Sequence, residues 1–433
     1  MNQSAYAWCP LLSLVFVAAC GSGSDISAPP SSGPSTAAMP AQPGPASAGS
    51  SGSVSPGNAP AASGGSGSGN EQMGPVTLTP GASGSGGGSS NPPVTGGMNQ
   101  TPGDCTTPPP ASPLVGWAAV EGNGVTTTTG GGDATPVTVT NLTDLQNAVL
   151  GTDPAVIYVK GVMDPGELRP GSNKTIVGLC GAELHGHMEV TGATNVIIRN
   201  IKIVGYGVGD CTLDPGFDPA TGCSSGQDAI TVQRSSNHIW FDHCDISDGT
   251  DGNLDVTNSA NFVTISWTKF HYTARTDDVG DDSTGAAGHR YSDLVGGSDN
   301  ATVDADLLNV TWHHNWWADN VVERQPRVRF GENHLFNNYW ASPTTNYCVR
   351  AGIQAHILIE NSVFDNVKSP HQFNNATDEM TASITANGNV YNNTTGTQVT
   401  GGGGPAFTDP PYEYTLDDAD AVPALVQAGA GPK

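Results

Sequence analysis

Residues Asn237–Phe270 read NHIWFDHCDISDGTDGNLDVTNSANFVTISWTKF. Two runs rich in β-branched and aromatic residues, NHIWFDHCDIS from Asn237 and NFVTISWTKF from Asn261, begin 24 residues apart with an Asp- and Gly-rich turn between them. Neither run has helical periodicity, so both read as short strands. Similar runs recur as NVIIRNIKIV from Asn195, NVTWHHNWW from Asn309, NHLFNNYW from Asn333 and HILIENSVF from His356, and the Asn309 and Asn333 runs are again 24 residues apart. A repeat of this length marks a solenoid, in which each turn of chain buries its apolar face only against its neighbours. The regular Leu spacing of leucine-rich repeats is absent. The pattern therefore predicts an all-β fold, a single-stranded right-handed parallel β-helix.

Two intervals are long, 42 residues between Asn195 and Asn237 and 48 between Asn261 and Asn309. Each carries about one repeat of additional chain. The excess, near Tyr206 to Gln227 and His271 to Arg290, is expected to leave the coil as long loops on one face, where solenoids bind their ligands. Near the C-terminus, LDDADAVPALVQAGAG predicts a short capping helix with Asp417 or Asp418 near its start.

The 433 residues hold 15 Lys and Arg against 40 Asp and Glu, a formal net charge of -25. Nucleic acid is excluded as a general partner, because phosphate binding needs a broad basic surface. From Met1 the first basic residue is Lys160. Residues 1–20 nevertheless resemble an export signal, with an apolar core from Leu11 to Ala19 and a lipobox-like Val17-Ala18-Ala19-Cys20. A lipid on Cys20 is the expected membrane contact, and the apolar core is too short for a permanent span. Residues 21–104, almost wholly Gly, Ser, Pro and Ala, predict a disordered tether. Residues 105–433 remain and are expected to form one folded domain, a monomer, either anchored at the cell surface or outer membrane or secreted. Beyond the signal lie Cys105, Cys180, Cys211, Cys223, Cys244 and Cys348, an even number that in an exported chain points to disulfides. Cys211 with Cys223 is the favoured staple; the alternative, zinc, lacks CxxC spacing.

Two constellations carry chemistry. Asp228 in GQDAITV, with Asp251 and Asp255 in DGTDGNLDVT, can reach one cleft from adjacent coils, and such oxygen donors favour Ca2+. The second is Arg324, Arg327 and Arg329, three arginines within six residues of an acidic chain. His313, His314 and His243 read as stacked structural positions. Of Trp316, Trp317 and Trp340, at least one is expected in the core.

The stretches WFDHCDISDGTDGNLDVTNSANFVTISWTKF and VTWHHNWWADNVVERQPRVRFGENHLFNNYW closely resemble the pectate lyase and pectin lyase superfamily, polysaccharide lyase family 1. GWAAVEGNGVTTTTGGG, LTDLQNAV and NKTIVGLCG upstream, and YEYTLDDADAVPALV downstream, extend the resemblance over everything after the tether. It implies cleavage of polygalacturonate, the pectin backbone, by calcium-assisted β-elimination. Arg324, first of the R-x-P-x-x-R pattern, matches the family's catalytic base, and Arg329, the last, matches its carboxylate-holding arginine. Asp251, Asp255 and Asp228 match calcium ligands; a further ligand position of some members falls on Gly226. The usual substrate-binding lysine falls on Tyr291, with Arg290 beside it as a substitute cation.

An arginine is a poor base while protonated. Calcium, Arg329 and other nearby cations are expected to disfavour its charged form. A pectin lyase acting on methyl-esterified polymer, and a non-catalytic polysaccharide-binding β-helix, are the competing readings. Hydrolysis has little support, because Gly280-Asp281-Asp282 lacks the companion motifs of polygalacturonases.

Overall fold

The structure is a computed structural model and describes residues 105–206, 227–273 and 289–433. The expected signal, the tether, the Cys211–Cys223 pairing and nearly all of the two long loops lie outside these residues.

Every pairing between the named strands is parallel. The strands stack coil on coil in three faces, as expected of a parallel β-helix. The first face runs from Ala155–Val159 through Asn237–Asp242 and Asn261–Ser266 to Ser383–Asn387. A second runs through Asp245–Ser247, Lys269–His271 and Trp316–Trp317 to Val390–Asn392. The third, which carries the candidate site, runs through Ile230–Gln233, Leu254–Val256 and Asp293–Val295 into the starts of Arg327–Phe336 and Val349–Glu360, then His371–Phe373.

Like positions stack, so one strand position builds a continuous core. Ile157, Ile176, Ile198, Phe241, Ile265, Trp312, Leu335 and Ile359 follow one another in register, all fully buried. Burial of each contributes roughly 1.5–3 kcal/mol. On the second face Phe270, Trp317, Trp340, Phe364 and Tyr391 form a ring stack with centroids 5.6, 4.8, 4.2 and 5.2 Å apart. Trp317 and Trp340 are thus core residues, while Trp316 is half-buried beside the C-terminal helix.

From Thr194–Arg199 to Val349–Glu360, one residue after each first-face strand turns the chain in the left-handed region: Asn200, His243, Trp267, His314, Asn337 and Asn361. From Trp267 on, the following residue's N–H is satisfied by a side chain of the next coil. Thr268 donates to Asn315 Oδ1 at 3.0 Å, Asn315 to Asn338 Oδ1 at 2.9 Å, Asn338 to Ser362 Oγ at 3.0 Å and Ser362 to Asn389 Oδ1 at 2.9 Å. These bonds meet the demand that a buried backbone donor have a partner. His243 and His314 stack on the two sides of Trp267, as expected of structural histidines.

Register corrects the asparagine spacing. First-face offsets are 43, 24, 47 and 23 residues where the asparagines are 42, 24, 48 and 24 apart. Asn237 and Asn261 are partners in the ladder, whereas Asn195, Asn309 and Asn333 fall one or two residues past that position.

The chain ends in a 3-10 turn at Ala419–Ala421, capped by Asp418, and a helix at Val422–Gly429. Val422 and Val426 pack against Tyr339 and Val363. Cys105 is disulfide-bonded to Cys180, with Cα atoms 5.4 Å apart. Cys244 and Cys348 are free and buried, against the expectation that the exported chain would pair its cysteines. Their coil-interior positions make them small apolar packing groups.

Candidate active site

Adjacent coils of the third face bring the predicted residues together. Asp255 on Leu254–Val256 lies opposite Thr231 on one side and Leu294 on the other, and Leu294 in turn lies opposite Arg327, then Arg350. The turns preceding these strands are also in step. Ala229 N–H donates to Gly252 O, Leu254 N–H to Ser292 O, and Asp293 N–H to Arg324 O. Asp228, Asp251, Tyr291 and Arg324 therefore occupy neighbouring turns at one end of the face.

The acidic members face one another. Asp228 Oδ2 accepts from Thr231 Oγ1 at 2.9 Å, and Asp255 Oδ1 accepts from Leu294 N–H at 3.1 Å. Burial, then the charge of Asp228, pushes the Asp255 carboxyl well above the usual carboxylate range. Gly252 explains how they approach: a Cβ there would lie 2.9 Å from Asp228 Oδ1 and 3.2 Å from Asp255 Oδ1. Only glycine leaves that space open. Hard carboxylate oxygens around a clear space, with their charges in conflict, fit a hard divalent cation. Among the described residues no three His, Cys, Asp or Glu side chains close around one point as a complete metal centre. The aspartates are a partial donor set.

Arg324 has φ 55 and precedes a cis Gln325–Pro326 bond. A non-glycine residue in the left-handed region needs its surroundings to hold it. Its side chain is 15% exposed, with Nη1 3.7 Å from Asp251 Oδ1 and the guanidinium 4.7 Å from the centre of the Tyr291 ring. Burial alone would lower its pKa, but Asp251, then Asp255, outweigh burial and hold it above the ordinary arginine value. The expectation of a disfavoured charge rests on calcium as well as on neighbouring arginines, and the arginines alone do not supply it. Among the described residues, the carboxylates win.

Arg329, the expected carboxylate holder, donates through Nε to Asp299 and through Nη1 to Gly296 O. Arg327 lies 4.0 Å from Asp299 Oδ1 and donates to Asn374 Oδ1 at 3.3 Å. Burial, then Arg329, lowers its pKa, so this is a crowded cationic position rather than a spare surface charge. Arg350 stacks 3.4 Å from the Tyr347 ring centre. The Tyr347 hydroxyl is buried without a hydrogen-bond partner among the described residues, and burial pushes its pKa up to about 12. Arg290 is half-buried, its carbonyl accepting from Val322 N–H.

Sequence reasoning missed His289, Asp299, Tyr347 and Arg350. His289 Nε2 is 2.8 Å from Asp251 Oδ1, close in distance though not in hydrogen-bonding geometry, and its ring lies 4.0 Å from that of Tyr291. His289 stands beside the flagged Arg290 and Tyr291, and Asp299 lies in a Gly- and Asp-rich turn; neither carries a motif. A cavity of about 560 Å³, lined by Asp306, Glu332, His356 and Met380, contains none of the candidate catalytic residues.

Known proteins resemble this chain in sequence and in fold. Residues 103–428 match the family model described as Pectate lyase. The probable pectate lyase B of Aspergillus flavus is 35% identical over 249 residues, covering 55% of this chain and 66% of that protein, just under two thirds of its length. The pectate trisaccharide-lyase of Bacillus licheniformis is 31% identical over 355 residues, 73% of this chain and 86% of the relative. A solved structure of a pectate lyase from Bacillus sp. N165 in complex with trigalacturonate superposes with a TM-score of 0.58 at 24% identity. It covers 74% of this chain and 98% of that one, a likeness of fold.

Proposed function

The chain belongs to the pectate lyase family of polysaccharide lyases, and on that premise we propose that it cleaves polygalacturonate by β-elimination with Arg324 as the base. The observation that carries this reading is the setting of Arg324, nearly buried between a cluster of aspartates and a group of arginines.

In the elimination Arg324 takes the proton from C5 of a galacturonate. The C5–H electrons form the C4–C5 double bond, the C4–O bond breaks, and the leaving oxygen takes a proton from water. Two charges oppose this: the substrate carboxylate beside C5, and Asp251, Asp255 and Asp228, which keep Arg324 protonated. Calcium, on which this family generally depends, would be held by Asp228, Asp251 and Asp255 and would supply positive charge against both. Arg329 holds the substrate carboxylate by exchanging its Asp299 partner for it, a bidentate contact that fixes the sugar for attack. Arg290, next to Tyr291 in sequence, offers a second cation. Residues 1–20 act as the export signal and 21–104 as the tether, with the catalytic domain at 105–433.

A second reading, action on methyl-esterified pectin, is favoured by one observation: the turn facing Arg324 presents the Tyr291 ring. The test is to incubate the purified protein with polygalacturonate and with highly esterified pectin, calcium present, and to follow the ultraviolet absorbance of unsaturated ends. Absorbance from polygalacturonate supports the proposal, and absorbance from esterified pectin alone supports the second reading. Reducing ends without absorbance mean hydrolysis; binding without product means a non-catalytic protein.

A further inference from the structure

We propose that Tyr291 is a positioning residue, whose ring holds the Arg324 guanidinium away from Asp251 and so keeps the base turned to the substrate. This inference rests on the reading of Arg324 as the base. An arginine 3.7 Å from a carboxylate ordinarily collapses onto it as a forked ion pair. Here that collapse is blocked from two sides. The Tyr291 ring lies 4.7 Å from the guanidinium, within the range of cation–π attraction. His289, two residues earlier, sits 2.8 Å from Asp251 Oδ1, the same oxygen that Arg324 would approach. The His289 and Tyr291 rings pack together at 4.0 Å, so the two barriers support each other.

The backbone fixes the ring as firmly as the side chain. Tyr291 bridges to Glu323, immediately before Arg324, and its carbonyl accepts from the buried Tyr272 hydroxyl at 2.6 Å. Arg324 Nη1 is buried without a hydrogen-bond partner among the described residues, which fits a guanidinium held short of its carboxylate. A cation at position 291 would repel Arg324. An aliphatic residue would leave its face uncovered and the route to Asp251 open.

The experiment compares Tyr291→Leu with Tyr291→Phe on polygalacturonate, and records the Arg324 Nε–Hε resonance by NMR with arginine-selective labelling. Tyr291→Leu is expected to lower kcat about 10- to 100-fold with KM nearly unchanged, the loss typical of a displaced catalytic group. Tyr291→Phe is expected to recover most of that turnover. The ring-current shift of the Arg324 resonance should persist in Tyr291→Phe and vanish in Tyr291→Leu. The proposal is overturned if Tyr291→Leu keeps its kcat, if KM alone rises, or if Tyr291→Phe is as defective as Tyr291→Leu. A wild-type protein that yields no unsaturated product defeats the reading of Arg324 as base, while the resonance shift still reports whether the ring holds the guanidinium.

Discussion

The third face has an acidic end and a basic end, and they are satisfied differently. One strand position carries Asp255, Leu294, Arg327 and Arg350 on successive coils. At about 4.8 Å per coil, the sign of the charge reverses within about 10 Å. The basic end largely matches its own charge, since Arg329 is paired with Asp299 and Arg350 is stacked on Tyr347. The acidic end does not: Asp255 is held well above the usual carboxylate range by burial and by Asp228. On the proposed reading, the acidic end takes its counter-charge from outside, whereas the basic end exchanges a partner it already has. Arg324 stands at the junction, and its protonation follows whichever end prevails.

The strongest way to break this comparison is to remove the junction. Arg324→Ala should lower kcat on polygalacturonate about 100- to 10,000-fold, the range for loss of a general base, as read from unsaturated product. Near-wild-type turnover in this variant would end the assignment.

Asp255→Asn should weaken calcium binding, measured by calorimetry, at least tenfold, which corresponds to about 1.4 kcal/mol. Unchanged affinity would mean that the acidic end is not the cation site. Asp299→Asn probes the opposite end with a smaller effect. Freeing Arg329 from its internal partner should lower KM about two- to fivefold, in keeping with the modest worth of a partly exposed ion pair. A raised KM would show that Asp299 organises Arg329 rather than competing for it.

The smallest effect on chemistry is expected far from both ends. Burial, then His314, pushes His313 well below the usual histidine value, and burial lowers His314 and His334 as well. The unfolded chain takes up these protons near pH ~6.5, but the folded chain only at lower pH. Their contribution to stability is therefore present above about pH 6.5 and is lost as pH falls through the folded values. Urea denaturation at a series of pH values should show this acid loss, and His313→Phe should reduce it while leaving kcat at neutral pH unchanged.

Much of the fold was legible because a solenoid repeats its signal. Each strand-like run became two strands on adjacent faces, and Trp317 and Trp340 entered the core. The asparagine count slipped by one at three steps because the asparagines do not all hold the same ladder position. Cys105–Cys180 was not legible, since pairing depends on which coil covers the N-terminal segment. In the site, Asp228, Asp251, Asp255 and Arg324 carried motifs and came together on neighbouring turns. Asp299, His289 and Tyr347 did not, because their roles arise only across coils, through an ion pair, a ring contact and a buried hydroxyl. The aspartates that raise the Arg324 pKa were legible only in part, because they lie on neighbouring turns rather than beside it in sequence.

One measurement tests the central claim most directly: the rate of unsaturated product formation from polygalacturonate in a single sample to which calcium, then a chelator, then excess calcium is added. The account predicts that the rate rises, falls to the background of Arg324→Ala, and returns. A rate indifferent to the chelator would contradict it, because Arg324 would then be working while the aspartates beside it still held it protonated.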